Sequence, residues 1–510
     1  MLGLIATTLF TACQQDPPPA TDSLAYIPKD AAMVTAIRTQ QLMDKADFAS
    51  LKAGKGYQEM LRKAREENAA LARVLEDPKQ AGIDLQQNAY VSVLMEGESP
   101  GMVVVSFSVA DRAALEKLME GLEMEARPVS NDFKMAGSSG DAIMAWNDNS
   151  LLLGVPMNKQ DAEAELQRMM ELKPDQSVAS NPELRQELDA DYDVLNWFSS
   201  DFILQSDNWK ASGNLLNYSD EELQGQSVAH RLTFEDGAVE SYWVPQLQGR
   251  IKNDLGMFFR DDVDTDFITK APAGKPSFLL SAAFDINGVN QLLVEKYSKG
   301  MAESALSQFG VSATDLLKAF KGDMMLLSYA EQEMGNALFM ASVEDAAALQ
   351  EVITQAEAAR KIEKISEGRY RFLEWEMEEE RADTIYATET VKLDAQFLLR
   401  GGLLYLSNTP ALLDQAEAGD TGLSGGIAEQ AGEMLNQHIF TALGSPADFP
   451  NWDDFAGIEN VEASATREGV RLRITLPEKG QNSLGYFLEG MLDSPEEETP
   501  APDEAPADEL

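Results

Sequence analysis

The stretch YVSVLMEGESPGMVVVSFSVADRAALEKLMEGL, residues 90–122, decides the fold. It reads as a strand over 90–95, a polar turn over 96–101, a second strand over 102–109 and a helix that opens at Asp111. The strand segments are rich in β-branched and apolar residues, and the helix carries apolar positions at helical spacing. The same order returns at MMLLSYAEQEMGNALFMASVEDAAALQEVI, residues 324–353, with strands over 324–329 and 336–343 and a helix from Asp345. Ser108-Val109, Asp111 and AAL (113–115) match Ser342-Val343, Asp345 and AAL (347–349) without a gap. Either the serine or the aspartate of each copy can cap the helix by accepting from first-turn amides, and the spacing leaves both open.

Three further correspondences keep this order. VAHRLTF (228–234), the turn EDG (235–237) and AVESYWV (238–244) parallel VEASAT (461–466), REG (467–469) and VRLRITL (470–476) as glycine-turned hairpins. NDLGMFF (253–259) follows the first and NSLGYFL (482–488) the second. The openings IPKDAAMVTAI (27–37) and PAGKPSFLLSAA (272–283) both read as proline-led strands running toward helices, and AIMAW with LLLG (142–146, 151–154) parallels FLL with LLYL (397–399, 403–406). The expected fold is therefore α+β, in two tandem and structurally similar lobes over 24–270 and 271–493. Each is a mainly antiparallel sheet with helices packed on one face. Extra sequence is expected at 175–227 in the first lobe, and a charged hairpin insert at 374–390 in the second. The clearest helix is 57–76, with Met60, Leu61, Ala64, Leu71 and Leu75 as its apolar stripe, Glu66 and Glu67 outward, and Pro78 at its end.

The 510 residues are 44% hydrophobic, enough for a sizeable core, but 86 acids face only 41 bases, a formal net charge of −45. Nucleic acid is excluded as a partner, because binding it needs phosphate-neutralising Lys and Arg. With a single cysteine there is no internal disulfide, so stability has to come from packing. Residues 494–510 hold seven acids, no base and four prolines, and are expected to be disordered.

Catalytic patterns are weak. His230 and His438 are the only histidines and fall at non-corresponding places, which leaves neither a histidine metal cluster nor a Ser-His-Asp triad. GLSGG (422–426) satisfies G-x-S-x-G, but a helix precedes Ser424 where that motif needs a strand. Asp262, Asp264 and Asp266 show the first half of a calcium loop, as do Asp189, Asp191 and Asp193. Both lack the glycine at position six and the glutamate at position twelve, leaving weak metal candidates only. The segment 374–380 is a charge run, and Trp197-Phe198 and Tyr242-Trp243 read as core ahead of ligand platform. No cofactor motif is present.

MLGLIATTLFTAC (1–13) ends in that single cysteine, Cys13. The apolar run is too short to span a bilayer and has the length of an export-signal core. FTAC (10–13) resembles the lipobox of bacterial lipoproteins, with Phe10 where leucine is usual; no basic residue precedes the run, so the start is expected further upstream. The polar, proline-rich residues 14–23 suit a tether. With the IPKDA opening (27–31), the lipobox and the paired hairpins, the chain resembles a family of Bacteroidota cell-envelope lipoproteins of unknown function.

That resemblance implies an outer-membrane, lipid-anchored location, facing either the periplasm or the cell surface, and no catalytic residue. The expected function is a non-enzymatic binding or scaffold protein, held in the membrane through lipid on Cys13 and able to meet another envelope protein. The alternatives are a carboxylate-based hydrolase acting for example on glycans, or a carrier of a hydrophobic ligand in an inter-lobe groove. Mass spectrometry of the mature protein tests the anchor: the N-terminal residue should be an acylated Cys13, and an unmodified N-terminus beyond Cys13 contradicts it.

Overall fold

A computed structural model describes residues 23–493 apart from 98, 131, 138–141, 159–160, 202–217, 261–262, 265, 292–311, 330–335, 374–375, 381–387, 393, 436 and 446–456. The signal segment, Cys13, most of the tether and the acidic tail lie outside these residues. Ser23, assigned to the tether on sequence, is fully buried in a 3-10 turn (Ser23–Tyr26), so the folded body begins there.

Alternating apolar runs form β1 (Met33–Ile37), β2 (Ala89–Glu96), β3 (Ser99–Ser108), β4 (Arg127–Pro128), β5 (Lys134–Ala136), β6 (Ile143–Trp146), β7 (Ser150–Pro156), β8 (Val194–Ser199), β9 (Ser227–Glu235) and β10 (Ala238–Gln246). The remaining strands are β11 (Phe278–Ala283), β12 (Phe320–Tyr329), β13 (Asn336–Val343), β14 (Ile362–Ser366), β15 (Arg369–Phe372), β16 (Glu376–Glu380), β17 (Thr388–Lys392), β18 (Gln396–Arg400), β19 (Leu403–Ser407), β20 (Phe440–Gly444), β21 (Asn460–Ala465) and β22 (Val470–Thr475). Twenty of them make one sheet, and β16 pairs only with β17 at the expected charged insert.

Every ladder in the large sheet is antiparallel. Its spatial order is β4-β5-β6-β7-β3-β2-β1-β8-β9-β10-β22-β21-β20-β11-β12-β13-β19-β18-β15-β14. Counted inward from either edge, ten strands follow one another in the same chain order, and the two sets meet at the β10–β22 seam. Segment 175–227 is thus more than extra sequence: it supplies β8, which bridges β1 and β9. Along β8, Leu195 and Trp197 are buried and Asn196 faces the other side, so the strand alternates, but its place between β1 and β9 comes only from long-range pairing.

Helices cover both faces, not one. The helices Ala162–Met170 and Pro182–Leu188 pack with Val34, Met102, Val104, Leu152 and Leu195. On the far side of the seam, Pro410–Ala418, Gly426–Met434 and Asp266–Lys270 pack with Leu279, Met325, Leu338 and Leu443. The helix Arg112–Gly121 lies instead against Phe107, Trp146 and Leu151, and Ala346–Ala358 against Phe397, Leu404 and Leu406. The physical reason is the continuous apolar run in the outer strands: Met102 and Val104 face one way and Phe107 the other, so both sides must be shielded.

Helix starts settle the capping question. Asp111 accepts from Ala114 N at 3.0 Å, and Asp345 accepts from Ala347 N and Ala348 N at 3.0 and 2.9 Å, while Ser108 and Ser342 stay buried in their strands. The helix expected over 57–76 is two helices, Lys55–Glu67 and Ala69–Glu76. Asn68 leaves the helical region and its side chain caps the second by accepting from Ala70 N and Leu71 N. Met60 and Leu71 are therefore exposed, and Leu61 and Ala64 carry the packing.

The two seam hairpins differ in their turns. Ala238 pairs with Glu235 across two residues, whereas Val470 pairs with Ala465 across four. A residue-for-residue match of 238–244 with 470–476 therefore sets side chains on opposite faces. At the seam itself, Gly237 (φ +65°) donates its N–H to Gln481 O at 2.8 Å, and a Cβ there would sit 2.6 Å from Lys479 Cα. Gly469 similarly leaves room for Trp243 O, 2.4 Å from where its Cβ would be. Gly237→Val is expected to cost about 2–4 kcal/mol through left-handed strain plus overpacking, read as a lower urea midpoint; an unchanged midpoint refutes the docking of this turn.

Candidate functional site

The seam strands present two chemically distinct faces. On one, Glu240 pairs with Arg471 and with Arg473 at 3.1 Å, and Arg473 also reaches Glu235 at 2.7 Å. The opposite face carries Leu232, Phe234, Val239, Trp243, Val470, Leu472 and Ile474, brought side by side by the ladder registers. These residues are half-buried or exposed, Trp243 at 39% and Val470 at 42%. No described helix makes more than a marginal contact with β10, β21 or β22.

A polar chain crosses this apolar face on the N-terminal side of the seam. Thr35 Oγ1 donates to Asn196 Oδ1 at 2.8 Å, Asn196 Nδ2 lies 3.2 Å from His230 Nδ1, and His230 Nε2 lies 2.8 Å from Ser241 Oγ. Since the Asn196 amide donates, His230 accepts at Nδ1 and donates from Nε2, the tautomer of the neutral ring. The imidazole stacks beneath the Trp243 indole, centroids 4.1 Å apart, and Phe198 runs parallel to the same indole at 6.3 Å. Desolvation by burial holds the His230 pKa below its ordinary value. Both histidine nitrogens are thus committed to strand-to-strand hydrogen bonds. Trp243, read as core on sequence, is an exposed aromatic on a rigid base, and Trp197 beside it is buried. The signal for the face was the alternation of 228–234 with 238–244 and 470–474, but only the seam pairing joins them.

The other sequence candidates do not converge. Asp262 lies outside the described residues. Asp264 Oδ1 accepts from Asp266 N at 3.0 Å to start a helix, and Asp266 pairs with Lys270 at 3.0 Å. Asp193 is fully buried, accepting from Gln41 Nε2, Lys45 Nζ and Phe234 N at 2.6–2.7 Å, whereas Asp191 is exposed and reaches Arg38 at 3.4 Å. The two D-x-D-x-D runs are accordingly structural in what is described of them. Among the described residues no group of three His, Cys, Asp or Glu is gathered for a metal. Ser424 is exposed and donates to Gly274 O at 3.2 Å, following the helix Pro410–Ala418 and no strand. His438 bonds Met434 O at 3.0 Å through Nδ1.

Buried carboxylates missed on sequence are likewise paired, although Asp323 bonds through Oδ1 alone and its Oδ2 has only Lys321 Nζ nearby, at 3.6 Å. Glu187 accepts from Arg231 at 2.6 Å and Gln246 at 2.9 Å, Asp254 from Tyr218 at 3.2 Å, and Asp323 from Arg260 at 2.9 Å. Removing one partner of such a pair leaves an uncompensated buried charge. No described helix is long and apolar enough to cross a membrane.

These features define an α+β protein built on one long antiparallel sheet with an apolar seam face. The chain belongs to the family described as Domain of unknown function (DUF4836), matched over residues 25–392. No curated protein matches it. Among solved structures, crystal form I of TP0453 aligns at 8% identity with a TM-score of 0.26, covering 47% of this chain and 85% of that one. Crystal form III aligns at 10% identity with a TM-score of 0.25, covering 51% and 88%.

A histidine whose folded pKa is depressed stabilises the fold above its unfolded pKa, and that contribution fades as pH falls through the folded value. Stability should therefore drop between about pH 7 and pH 5 more steeply in the wild type than in His230→Gln. The check is the urea midpoint against pH for both proteins; parallel curves rule out the buried neutral ring.

Proposed function

We propose that the protein is a lipid-anchored, non-enzymatic binding protein of the bacterial outer membrane, made of one ten-strand unit used twice, which holds an apolar ligand on its seam face. The duplication is supported by the ladder registers. Taking Ser108 as the counterpart of Ser342 makes Tyr90 the counterpart of Met325, Ala36 of Ser281, Leu195 of Thr441, Arg231 of Ser464 and Tyr242 of Arg471. Continued along the chain without a gap, that last step sets Asn253 on Asn482, Leu255 on Leu484 and Phe258 on Phe487, which is the second sequence correspondence reached independently. At the seam Tyr242 faces Arg471, its own counterpart, as a two-fold contact requires.

The binding reading rests on one observation: a largely apolar sheet face at the pseudo-two-fold axis, whose strands β10, β21 and β22 carry no described helix beyond marginal contact, the helix Ser483–Asp493 reaching only β9. Large exposed apolar patches mark interaction sites. The structural engagement of the buried carboxylates supports the non-enzymatic reading over a hydrolase that uses a facing carboxylate pair. The lipid on Cys13 is supported by the lipobox-like FTAC (10–13).

Titration with cis-parinaric acid tests the ligand class. Saturable binding is expected, weakened about tenfold or more by Trp243→Ala with Leu472→Asp. Binding indifferent to those changes removes the seam face from the account.

A further inference from the structure

The helix Ser483–Asp493 closes the second half of the chain, yet it docks on the first. It packs on three helices of the N-terminal half, Thr39–Lys45, Phe48–Ala53 and Lys55–Glu67, and on β9. With the described helices of its own half it makes no more than marginal contact. Gly485 is buried at this junction, where a Cβ would lie 3.6 Å from Ala46 O. The exchange is reciprocal. The helix Gly249–Phe258, which follows the last strand of the first half, packs on Ile286–Val289 of the second, so closely that a Cβ on Gly288 would fall 1.8 Å from Met257 O.

The docked helix is tied to the sheet at Phe234, a seam-face residue. Asn482, directly before the helix, donates from Nδ2 to Phe234 O at 3.1 Å, and its Oδ1 accepts from Leu484 N at 3.1 Å. Phe234 N donates in turn to Asp193 Oδ2 at 2.6 Å. Asp193 is fully buried and is held from the helix Thr39–Lys45, by Gln41 Nε2 at 2.6 Å and Lys45 Nζ at 2.7 Å. Lys45 directly precedes Ala46, against which Gly485 lies. Both backbone groups of Phe234 are thus fixed from one junction, one by the docked helix and the other through the helix it sits on. Moving 39–45 away from Asp193 leaves a buried charge uncompensated, which opposes undocking.

We infer that the helix Ser483–Asp493 is a clasp. Seated on residues 39–67, it locks the C-terminal end of the chain to the N-terminal half and holds Phe234 in place. Undocking leaves the ladders of the sheet paired and frees the 39–67 helices and Phe234 together. The clasp thereby also sets the shape of the ligand surface, a consequence that rests on the function proposed above.

Hydrogen exchange of the full chain, with no ligand added, tests the clasp. In Gly485→Phe, whose ring has to displace the Ala46 contact, the amides of 39–67 and of Phe234 should exchange about tenfold or more faster than in the wild type, while those of β12 and β13 keep their rates. Asn482→Ala, a milder change that deletes the bond to Phe234 O, should move the same amides in the same direction. Acceleration confined to 483–493, or spread equally over β12 and β13 in both variants, would overturn the clasp. The ligand consequence is read separately, as weaker binding of cis-parinaric acid by Gly485→Phe. Unchanged affinity would overturn its hold on the ligand surface, whereas failure of the wild type to bind at all removes the seam-face reading and leaves the exchange result standing.

Discussion

Everything in this molecule hangs on the pairing of β10 with β22. Among the described residues it is the one ladder between the first ten strands of the large sheet and its last ten, and it runs from Ala238–Thr475 to Trp243–Val470. Backbone hydrogen bonds alone would tolerate a slip by two residues, so the side chains must fix the register. Glu240 does so from one face by taking both Arg471 and Arg473, and the hairpin glycines Gly237 and Gly469 do so at the ends by admitting the opposing backbone where a Cβ would collide. Half-exposed ion pairs contribute little stability on their own. Their role is to penalise the wrong register, in which Val239 would no longer lie opposite Ile474.

From that constraint the remaining architecture follows. An open antiparallel sheet of this width would be prone to association at its edges, and the outermost strands answer with shortness and charge. β4 is two residues long and ends in Pro128; β14 carries exposed Glu363 and Lys364. Away from the seam helices pack on both faces, and over β10, β21 and β22 no described helix makes more than a marginal contact on either. Trp243 lies at this seam, stacked on His230, which Asn196 and Thr35 hold through a chain of hydrogen bonds.

Much of the fold was legible in the sequence because it rests on local chemistry. The strand–turn–strand–helix units at 90–122 and 324–353 announce themselves through β-branched runs and aspartate caps. Strand β8 was not legible as part of the sheet, since its place there comes from long-range pairing with β1 and β9. The break at Asn68 was hidden by an apolar periodicity that continues across it. The seam face was hidden for the same reason as β8, since alternation shows that strands have an apolar side but not which strand lies next. Tryptophan adds a further ambiguity. Trp197 and Trp243 sit in similar contexts, and only the sheet sends one into the core and leaves the other over His230.

The register of the seam is open to a direct measurement, disulfide formation in a Cys13-free protein. Residues directly opposite one another in an antiparallel ladder have Cα atoms about 4.5–5.5 Å apart, within reach of a disulfide. Tyr242→Cys with Arg471→Cys should cross-link readily under mild oxidation, and Trp243→Cys with Arg471→Cys, one step out of register and on opposite faces, should not. Cross-linking of the second pair in preference to the first would contradict the seam register on which the account depends.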